Sequence, residues 1–280
     1  MIVVTESLFL GNSIKNYIKR AGLQNVQVIV DQSLKGVNES RNRGINKAKG
    51  DFIALLDDDV VVSVDWAYKI VETHLLIRNT GAVTGPAYPL WTGKGAEWIP
   101  KEMYWLISCT GWNWQGLKEV RNVGGMNSSY HKDSIFRVSL FNPTIGPVQG
   151  GAKAGKVLYV GAEEIELCTK LRHHLKKLVV YNPEAFVYHK VNDRQTTFTS
   201  LTKRAVHFGF TRGYVYRYLS YDRDPALSFE TQHFITILST FLHEIGAPNL
   251  NFSSRMKRVM IYPVAIMGLL VGFFSFFILG

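Results

Sequence analysis

The chain has 280 residues, which is enough for one large domain or two modest ones with a sizeable core. Its composition of 46% hydrophobic and 19% charged residues, with 24 Gly and 9 Pro, excludes a disordered chain, a collagen and a coiled coil. The two cysteines, Cys109 and Cys168, lie far apart and exclude a disulfide scaffold and a zinc ribbon, so a reducing compartment is the default.

The formal net charge of +10 is concentrated in one part of the chain. Between Lys170 and Arg217 there are ten Lys or Arg residues, against only Glu184 and Asp193. Such a basic block suits nucleic acid, anionic lipid or a phosphorylated small molecule. Charge alone leaves all three partners open.

Short apolar runs alternate with stretches of helical period in the first 90 residues. The predicted strands are 2–4, 26–30, 52–56 and 82–87, and the predicted helices between them are 12–21, 38–49 and 66–77. This alternation predicts an α/β fold with a mostly parallel, Rossmann-like sheet and helices on both faces. Ligands of such sheets bind at the carboxyl ends of the strands.

The second half of the chain begins with a stretch rich in Gly, Trp and Asn. Residues 88–155 are predicted to form long functional loops around a strand at 126–131. A helix at 162–174, closing strands at 179–181 and 185–188, and two amphipathic helices after Thr199 are expected to follow.

The two ends of the chain differ in character. Residues 260–280 carry no charged side chain and are apolar on every face, which favours a transmembrane helix over a buried core helix. The cations Arg255, Lys257 and Arg258 precede this helix and predict that the rest of the chain faces the cytoplasm. At the amino terminus, residues 2–4 are too short for a signal peptide and predict a strand.

Three consecutive carboxylates, Asp57, Asp58 and Asp59, directly follow the apolar strand 52–56. Like charges this close repel one another, and apolar surroundings oppose ionisation, so a positive partner is expected. Hard oxygen ligands suit Mg²⁺ or Mn²⁺, which commonly complete their coordination with phosphate oxygens and water. The alternative is a solvated turn that caps the next helix.

Two further segments carry residues suited to a phosphorylated ligand. The loop 35–44 runs into a helix with Arg41 and Asn42, and both helix N-termini and guanidinium groups favour phosphate, although an ordinary exposed helix start fits equally. His189 ends a strand and Arg194 follows it. A structural role is the commoner one for a single His, whereas beside a metal and a diphosphate it serves as a ligand or donor.

Three glutamates, Glu163, Glu164 and Glu166, stand at the head of the helix predicted at 162–174. The helix macrodipole accounts for one acid there. One of the others is a candidate general base for an incoming hydroxyl group.

The order of these motifs resembles family 2 glycosyltransferases with the GT-A fold. The resemblance is carried by Ser40-Arg41-Asn42-x-Gly44, Gly50 to Asp59, Asp65-Trp66, Gly124-Gly125-Met126-Asn127, Glu163-Glu164-x-Glu166-Leu167 and His189. Within the family the chain looks most like archaeal glucosyl-dolichyl-phosphate glucuronosyltransferases, which are membrane-anchored and extend a lipid-linked glycan. That likeness lies in Gly85-Pro86 to Trp91, Pro100-x-x-x-Tyr104-Trp105-Leu106, Arg121-Asn122, His189-Lys190-Val191 and Arg194.

The resemblance implies a role for each candidate residue. Asp57 and Asp59 would flank Mg²⁺ or Mn²⁺ and the donor diphosphate, and Glu164 matches the position of the catalytic base, with Glu163 as its close rival. The remaining donor-site positions would be Glu6, Arg41, Asn42, Asp58, His189 and Arg194. The run 2–6 resembles the second strand of these enzymes, so the first strand–helix unit, which holds the uracil, is expected to be absent from this sequence.

The sequence therefore predicts a GT-A domain at 1–225, an interfacial amphipathic segment at 226–258 and a transmembrane helix at 259–280 of a single-pass cell-membrane protein. Its expected activity is the inverting, metal-dependent transfer of a sugar, with glucuronic acid the candidate, from a UDP-sugar to a dolichyl- or polyprenyl-phosphate-linked saccharide. The alternatives are a dolichyl-phosphate sugar synthase and a catalytically inactive, membrane-tethered nucleotide-sugar-binding module. The acid triplet and the anchor argue against nucleic acid as a partner.

Overall fold

The structure is a computed structural model and describes residues 1–34, 36–93, 98–111, 113–146, 160–219, 235–237, 239–242 and 252–279. Its helices are α1 (Leu8–Arg20), α2 (Val37–Lys47), α3 (Trp66–Leu76), α4 (Lys132–Arg137), α5 (Glu163–Leu175), α6 (Phe198–Tyr218) and α7 (Phe252–Leu279), with a 3₁₀ helix at Lys101–Ile107. Its strands are β1 (Ile2–Thr5), β2 (Gln27–Val30), β3 (Phe52–Leu56), β4 (Val60–Val62), β5 (Thr80–Thr84), β6 (Ala87–Trp91), β7 (Lys118–Glu119), β8 (Asn127–His131), β9 (Leu178–Tyr181) and β10 (Val187–Val191).

The described strands form three sheets. The central sheet has the order β3-β8-β5-β9-β7, a second sheet has the order β4-β10-β6, and β1 pairs with β2. The pairs β1–β2, β5–β9 and β6–β10 are parallel, whereas β3–β8, β5–β8, β7–β9 and β4–β10 are antiparallel. The α/β class is confirmed, but the expectation of a mostly parallel sheet is wrong. The strand β8 enters from a long connection rather than from a crossover helix, and nothing in such a connection enforces a parallel direction.

The strand pairings also show that the strand before the acid triplet differs from the prediction. The strand β3 lies at one edge of the central sheet, pairs antiparallel with β8, and buries only Ile53 fully. The buried parallel strand that was expected before Asp57 is therefore not found. The predicted strand 82–87 is also divided at Gly85 and Pro86, and its two halves, β5 and β6, join different sheets.

The principal core lies between the central sheet and the helices α2, α4 and α5. Its buried side chains include Ile45 from α2, Ile53, Tyr130, Ile135 from α4, and Leu167 and Leu171 from α5. Because one core holds these elements, the middle of α2 and the head of α5 are fixed beside the end of β3.

A second core joins the 3₁₀ helix to α6 and α7. Met103 and Leu106 pack there with Leu201 and Ala205 of α6 and with Ile261, Tyr262 and Ala265 of α7. Ile237, from the segment predicted to be amphipathic, is buried in the same cluster, while Phe234, Leu238 and Ile245 lie outside the described residues. The domain boundaries at 225 and 258 stay predictions.

Among the residues that the structure describes, one helix is long and apolar enough to cross a membrane. Within α7, the candidate span Met256–Leu279 has 24 residues, and its most apolar 18-residue window has a mean hydropathy of 2.2. A third of the most apolar window is buried against the rest of the chain, so length and composition alone do not separate a crossing from other positions.

Candidate active site

The Arg41 guanidinium joins the acid triplet to the glutamates of α5. Its Nη1 donates a hydrogen bond to Glu164 Oε1 at 2.8 Å, and its Nη2 lies 3.6 Å from Asp57 Oδ1. Glu163 Oε1 is 3.9 Å from Nη1. Residues separated by more than 100 positions therefore share one corner of the fold.

The position of Arg41 is set by two asparagines on the same helix. Asn38 Nδ2 donates to the carbonyl oxygens of Asn142 and Ile145 at 2.8 and 2.9 Å. Asn42 donates to the Phe141 carbonyl at 2.7 Å and accepts from the Phe141 amide at 3.1 Å. The Phe141 ring also lies 5.3 Å from the Arg41 Cζ. The helix α2 is thus clamped to the segment 141–145, and the amide of Asn42 is engaged with protein backbone.

Glycine at position 125 leaves room for the Arg41–Glu164 ion pair. A Cβ at this position would lie 2.4 Å from Glu164 Oε1 and 3.2 Å from Arg41 Nη2. Any side chain at position 125 would therefore displace one partner. The Gly-Gly motif, which is part of the family resemblance, here accommodates the catalytic candidates.

Burial controls the protonation of the acids in this corner. Burial first, and the charge of Glu164 second, raise the pKa of Glu163 to about 8. Glu163 Oε2 is buried and has no hydrogen-bond partner among the described residues. Burial also raises the pKa of Asp57, with the charges of Asp59 and Asp58 adding to it and Arg41 and His189 opposing it.

The third glutamate at the head of α5, Glu166, contacts other residues. Its Oε1 lies 3.0 Å from Lys170 Nζ and accepts a hydrogen bond from Asn142 Nδ2 at 3.3 Å. Glu166 therefore supports the fold beside the acid cluster and is a suitable control position.

The strand β10 brings His189 to the last carboxylate of the triplet. His189 Nε2 lies 3.2 Å from Asp59 Oδ2, and the Lys190 amide donates to the Asp59 carbonyl at 2.9 Å. On the other side of the ring, Nδ1 is 3.6 Å from Cys109 Sγ. Sequence reasoning missed Cys109, because a single Cys in an aromatic loop carries no local signal for this contact.

Three predicted donor-site residues lie apart from this network. Glu6 follows β1, Asp58 lies between the two engaged carboxylates, and Arg194 is on an exposed turn after β10. Among the described residues, no hydrogen bond or ion pair joins these three side chains to Arg41, Glu164 or His189. Their roles at the donor site stay predictions.

The fit of a divalent cation depends on Asp57 and Asp59. In the described part of the chain, no group of three or more His, Cys, Asp or Glu side chains is arranged to hold a metal ion. The two aspartate side chains are 43% and 45% exposed, and their oxygens suit Mg²⁺ or Mn²⁺, which bind through one or two carboxylates, water and substrate phosphates. Burial is the main cause of the raised pKa of Asp57, and repulsion from Asp59 and Asp58, which a cation would relieve, adds to it. The donor set therefore fits a cation shared with a phosphorylated substrate.

Comparison with known proteins identifies the domain. Residues 11–135 match the profile of glycosyl transferase family 2. The chain carries a family 2 glycosyltransferase domain. The family resemblance inferred from the motifs is confirmed.

Two curated relatives match part of the chain. It is 30% identical over 179 residues to the glucosyl-dolichyl phosphate glucuronosyltransferase of Haloferax volcanii, covering 64% of this chain and 55% of the relative. It is 27% identical over 182 residues to the succinoglycan biosynthesis protein ExoM of Rhizobium meliloti, covering 63% of this chain and 52% of the relative. The matches thus span about half the length of each relative.

Solved structures confirm the GT-A fold. The mannosyltransferase PcManGT of Pyrobaculum calidifontis, in complex with GDP-Man and Mn²⁺, aligns with a TM-score of 0.59 and 12% identity over 98% of this chain and 77% of that one. GalNAc-T7 with UDP, GalNAc and Mn²⁺ aligns with a TM-score of 0.51 and 14% identity, over 84% of this chain and 47% of that one.

The raised pKa of Glu163 predicts a pH dependence of stability. Between its ordinary value of 4.5 and about 8, the folded chain keeps a proton that the unfolded chain releases, so stability falls as the pH rises through this window. Replacing Glu163→Gln removes this contribution. We expect the thermal midpoint of the variant to fall less than that of the wild type between about pH 5 and about pH 9.

The matched control is Glu119→Gln, on the exposed strand β7, which should keep the pH dependence of the wild type. Parallel curves for Glu163→Gln and the wild type would contradict the assignment of a neutral, buried Glu163.

Proposed function

We propose that the chain is an inverting, metal-dependent hexosyltransferase that moves a sugar from a UDP-sugar to a hydroxyl of a dolichyl- or polyprenyl-phosphate-linked saccharide, in glycan assembly for protein glycosylation. The observation that supports it is the Arg41 bridge between Asp57 and Glu164. This bridge holds the proposed metal-binding aspartates close to a candidate general base. The family 2 domain supports sugar transfer, and the Haloferax relative supports glucuronic acid and a lipid-linked acceptor.

Glu164 is the proposed general base. Its carboxylate removes the proton from the attacking hydroxyl group, and Arg41 holds it in place without occupying both oxygens. In-line attack with a single base inverts the configuration at the anomeric carbon. Glu163 is the close rival, because a pKa near neutrality suits a base, but its Oε2 atom is buried away from any incoming acceptor.

Asp57 and Asp59 would hold Mg²⁺ or Mn²⁺. The cation, when bound, offsets negative charge on the departing diphosphate. His189 fixes the Asp59 carboxylate, and Arg41 fixes Asp57. Two structural neighbours were solved with Mn²⁺ and a nucleotide, one with UDP and the other with GDP-Man, which supports a divalent cation and a nucleotide-sugar donor. The proposed contacts to the donor itself are Glu6, Arg41, Asp58, His189 and Arg194. The remaining predicted donor residue, Asn42, uses its amide to hold the Phe141 backbone.

The helix α7 attaches the domain to the cell membrane in this proposal. Lys257 and Arg258 stand before its apolar part, which favours the cytoplasmic side for the catalytic domain. The basic block between Lys170 and Arg217 then has partners in the phosphates of the donor and the lipid-linked acceptor and in anionic headgroups, apart from Lys170 and Arg204, which are engaged with the protein.

The role of Glu164 is tested by the variant Glu164→Gln. It should lower the rate of sugar transfer by about 10²- to 10⁴-fold, because the amide cannot accept the proton of the acceptor hydroxyl. Glu166→Gln on the same turn of α5 is the matched control and should retain activity. Turnover is measured with radiolabelled UDP-sugars and lipid-linked acceptors.

Full turnover by Glu164→Gln, with the metal site intact, would favour direct transfer to a lipid phosphate, since a phosphate nucleophile needs no base.

The metal and donor are tested by calorimetric titration with UDP and Mn²⁺. Wild-type protein should bind UDP in a Mn²⁺-dependent way, and Asp57→Asn should weaken that binding by about tenfold or more, because one oxygen ligand loses its charge. Asp51→Asn, at the start of β3, is the control and should bind as the wild type does. Mn²⁺-independent binding or no binding by the wild type would leave the inactive tethered module as the better account.

A further inference from the structure

The helices α6 and α7 run parallel and touch along most of their length. The contact runs through small residues spaced four apart, which are Ala205, Gly209 and Gly213 on α6 and Gly268 and Gly272 on α7. A Cβ on Gly209 would lie 2.0 Å from the Leu269 carbonyl oxygen, and one on Gly272 would lie 1.8 Å from the Val206 carbonyl oxygen. The two backbones therefore touch directly, as helices with small-residue interfaces do.

The helix α6 is in turn part of the catalytic domain. The Gly161 amide donates to Thr211 Oγ1 at 3.1 Å, two residues before α5 begins. Val215 packs against Ala162 and Ile165 at the head of the same helix. The helix α7 is thus fixed, through α6, to the element that carries the catalytic candidates.

This packing conflicts with a simple crossing of the bilayer by α7. Phe276 of α7 is level with Gly213 and Tyr214 of α6, so the last part of the apolar helix lies at the level of the α6 segment that carries Arg212 and Arg217. Arg217 is exposed. If α7 crossed with this contact intact, the cations of α6 and the head of α5 would be drawn into the hydrocarbon, which strongly disfavours charge.

The other side of α7 is an uncovered apolar stripe. It is formed by Met260, Met267, Val271, Phe274 and Ile278, which fall on one line of the helix and are all exposed, Ile278 to 81%. The stripe is about 27 Å long at 1.5 Å per residue. Although α7 is apolar all round, α6 hides one side. Leu270, Phe277 and Leu279 are exposed beside the stripe, so the face of α7 away from α6 is open to a partner.

We propose that α7 lies in the plane of the membrane interface, with this stripe immersed in the acyl boundary of one leaflet and α6 and the catalytic domain on its water side. The pair of helices then behaves as one amphipathic unit, and the exposed Lys257 meets headgroups at its start. The head of α5 lies one helix away from the lipid. The inference depends on packing and does not require sugar transfer.

The test measures the depth of α7 in vesicles of phosphatidylcholine and phosphatidylglycerol. Full-length chains with a single added cysteine, Met260→Cys, Met267→Cys, Phe274→Cys or Ile278→Cys, are labelled with a fluorophore and quenched by lipids spin-labelled near the headgroup or deep in the chain. The wild type, whose Cys109 and Cys168 are buried, gives the background. All four labels should be quenched more by the shallow probe, and to a similar extent.

Two results would overturn the proposal. One is deepest quenching at Met267→Cys with Ile278→Cys accessible only from the opposite side, which is the profile of a single crossing. The other is no lipid quenching at all with self-association of the chain, which means that a second copy covers the stripe.

A variant pair tests whether α6 holds α7 in this position. Gly272→Leu, which cannot pack against Val206, should shift the label at Phe274→Cys to the deep probe, whereas Val271→Leu on the exposed side should not. An unchanged depth for a folded Gly272→Leu chain would contradict the role of α6. If that variant fails to fold, the depth profile of the four labelled chains still decides the position.

Discussion

The site depends on one largely buried cation, Arg41, which lies among carboxylates that would otherwise repel each other. Arg41 contacts Asp57 and Glu164 from a helix that is clamped by Asn38 and Asn42 to the segment 141–145. A guanidinium group with fixed geometry can hold two acids at once, which a flexible ammonium group does less well. The separate features of the sequence, the acid triplet and the helix-borne glutamates, become one site only through this residue.

In the proposed arrangement, the helix α5 connects the candidate catalytic residues to the membrane. Its head carries Glu163 and Glu164, its core side packs under the central sheet, and the residues just before it bind α6, on which α7 lies. An acceptor anchored in lipid would thus meet the proposed base close to the bilayer surface. This arrangement gives a physical reason for an apolar helix that packs tightly on the catalytic domain rather than extending freely from it.

Local sequence signals predicted the elements better than their partners. The strand Phe52–Leu56 has the predicted bounds, and the starts of α2, α3 and α5 lie within one residue of the prediction, because apolar period and caps are local properties. The direction of β8, the division at Gly85 and Pro86, and the Cys109–His189 contact depend on chain segments far apart, which no local pattern encodes. The need for glycine at position 125 was also not predictable from local sequence, because it arises from the Glu164 carboxylate 39 positions away.

The Arg41–Glu164 pair can be measured directly by a double-mutant cycle. The free energies of unfolding of the wild type, Arg41→Met, Glu164→Gln and the double variant give the coupling energy of the two side chains. For a largely buried, hydrogen-bonded pair we predict a favourable coupling of about 2 kcal/mol. The losses of stability in the two single variants should therefore sum to more than the loss in the double variant. A coupling near zero would show that Arg41 does not hold the acids together, and would contradict the account of this site.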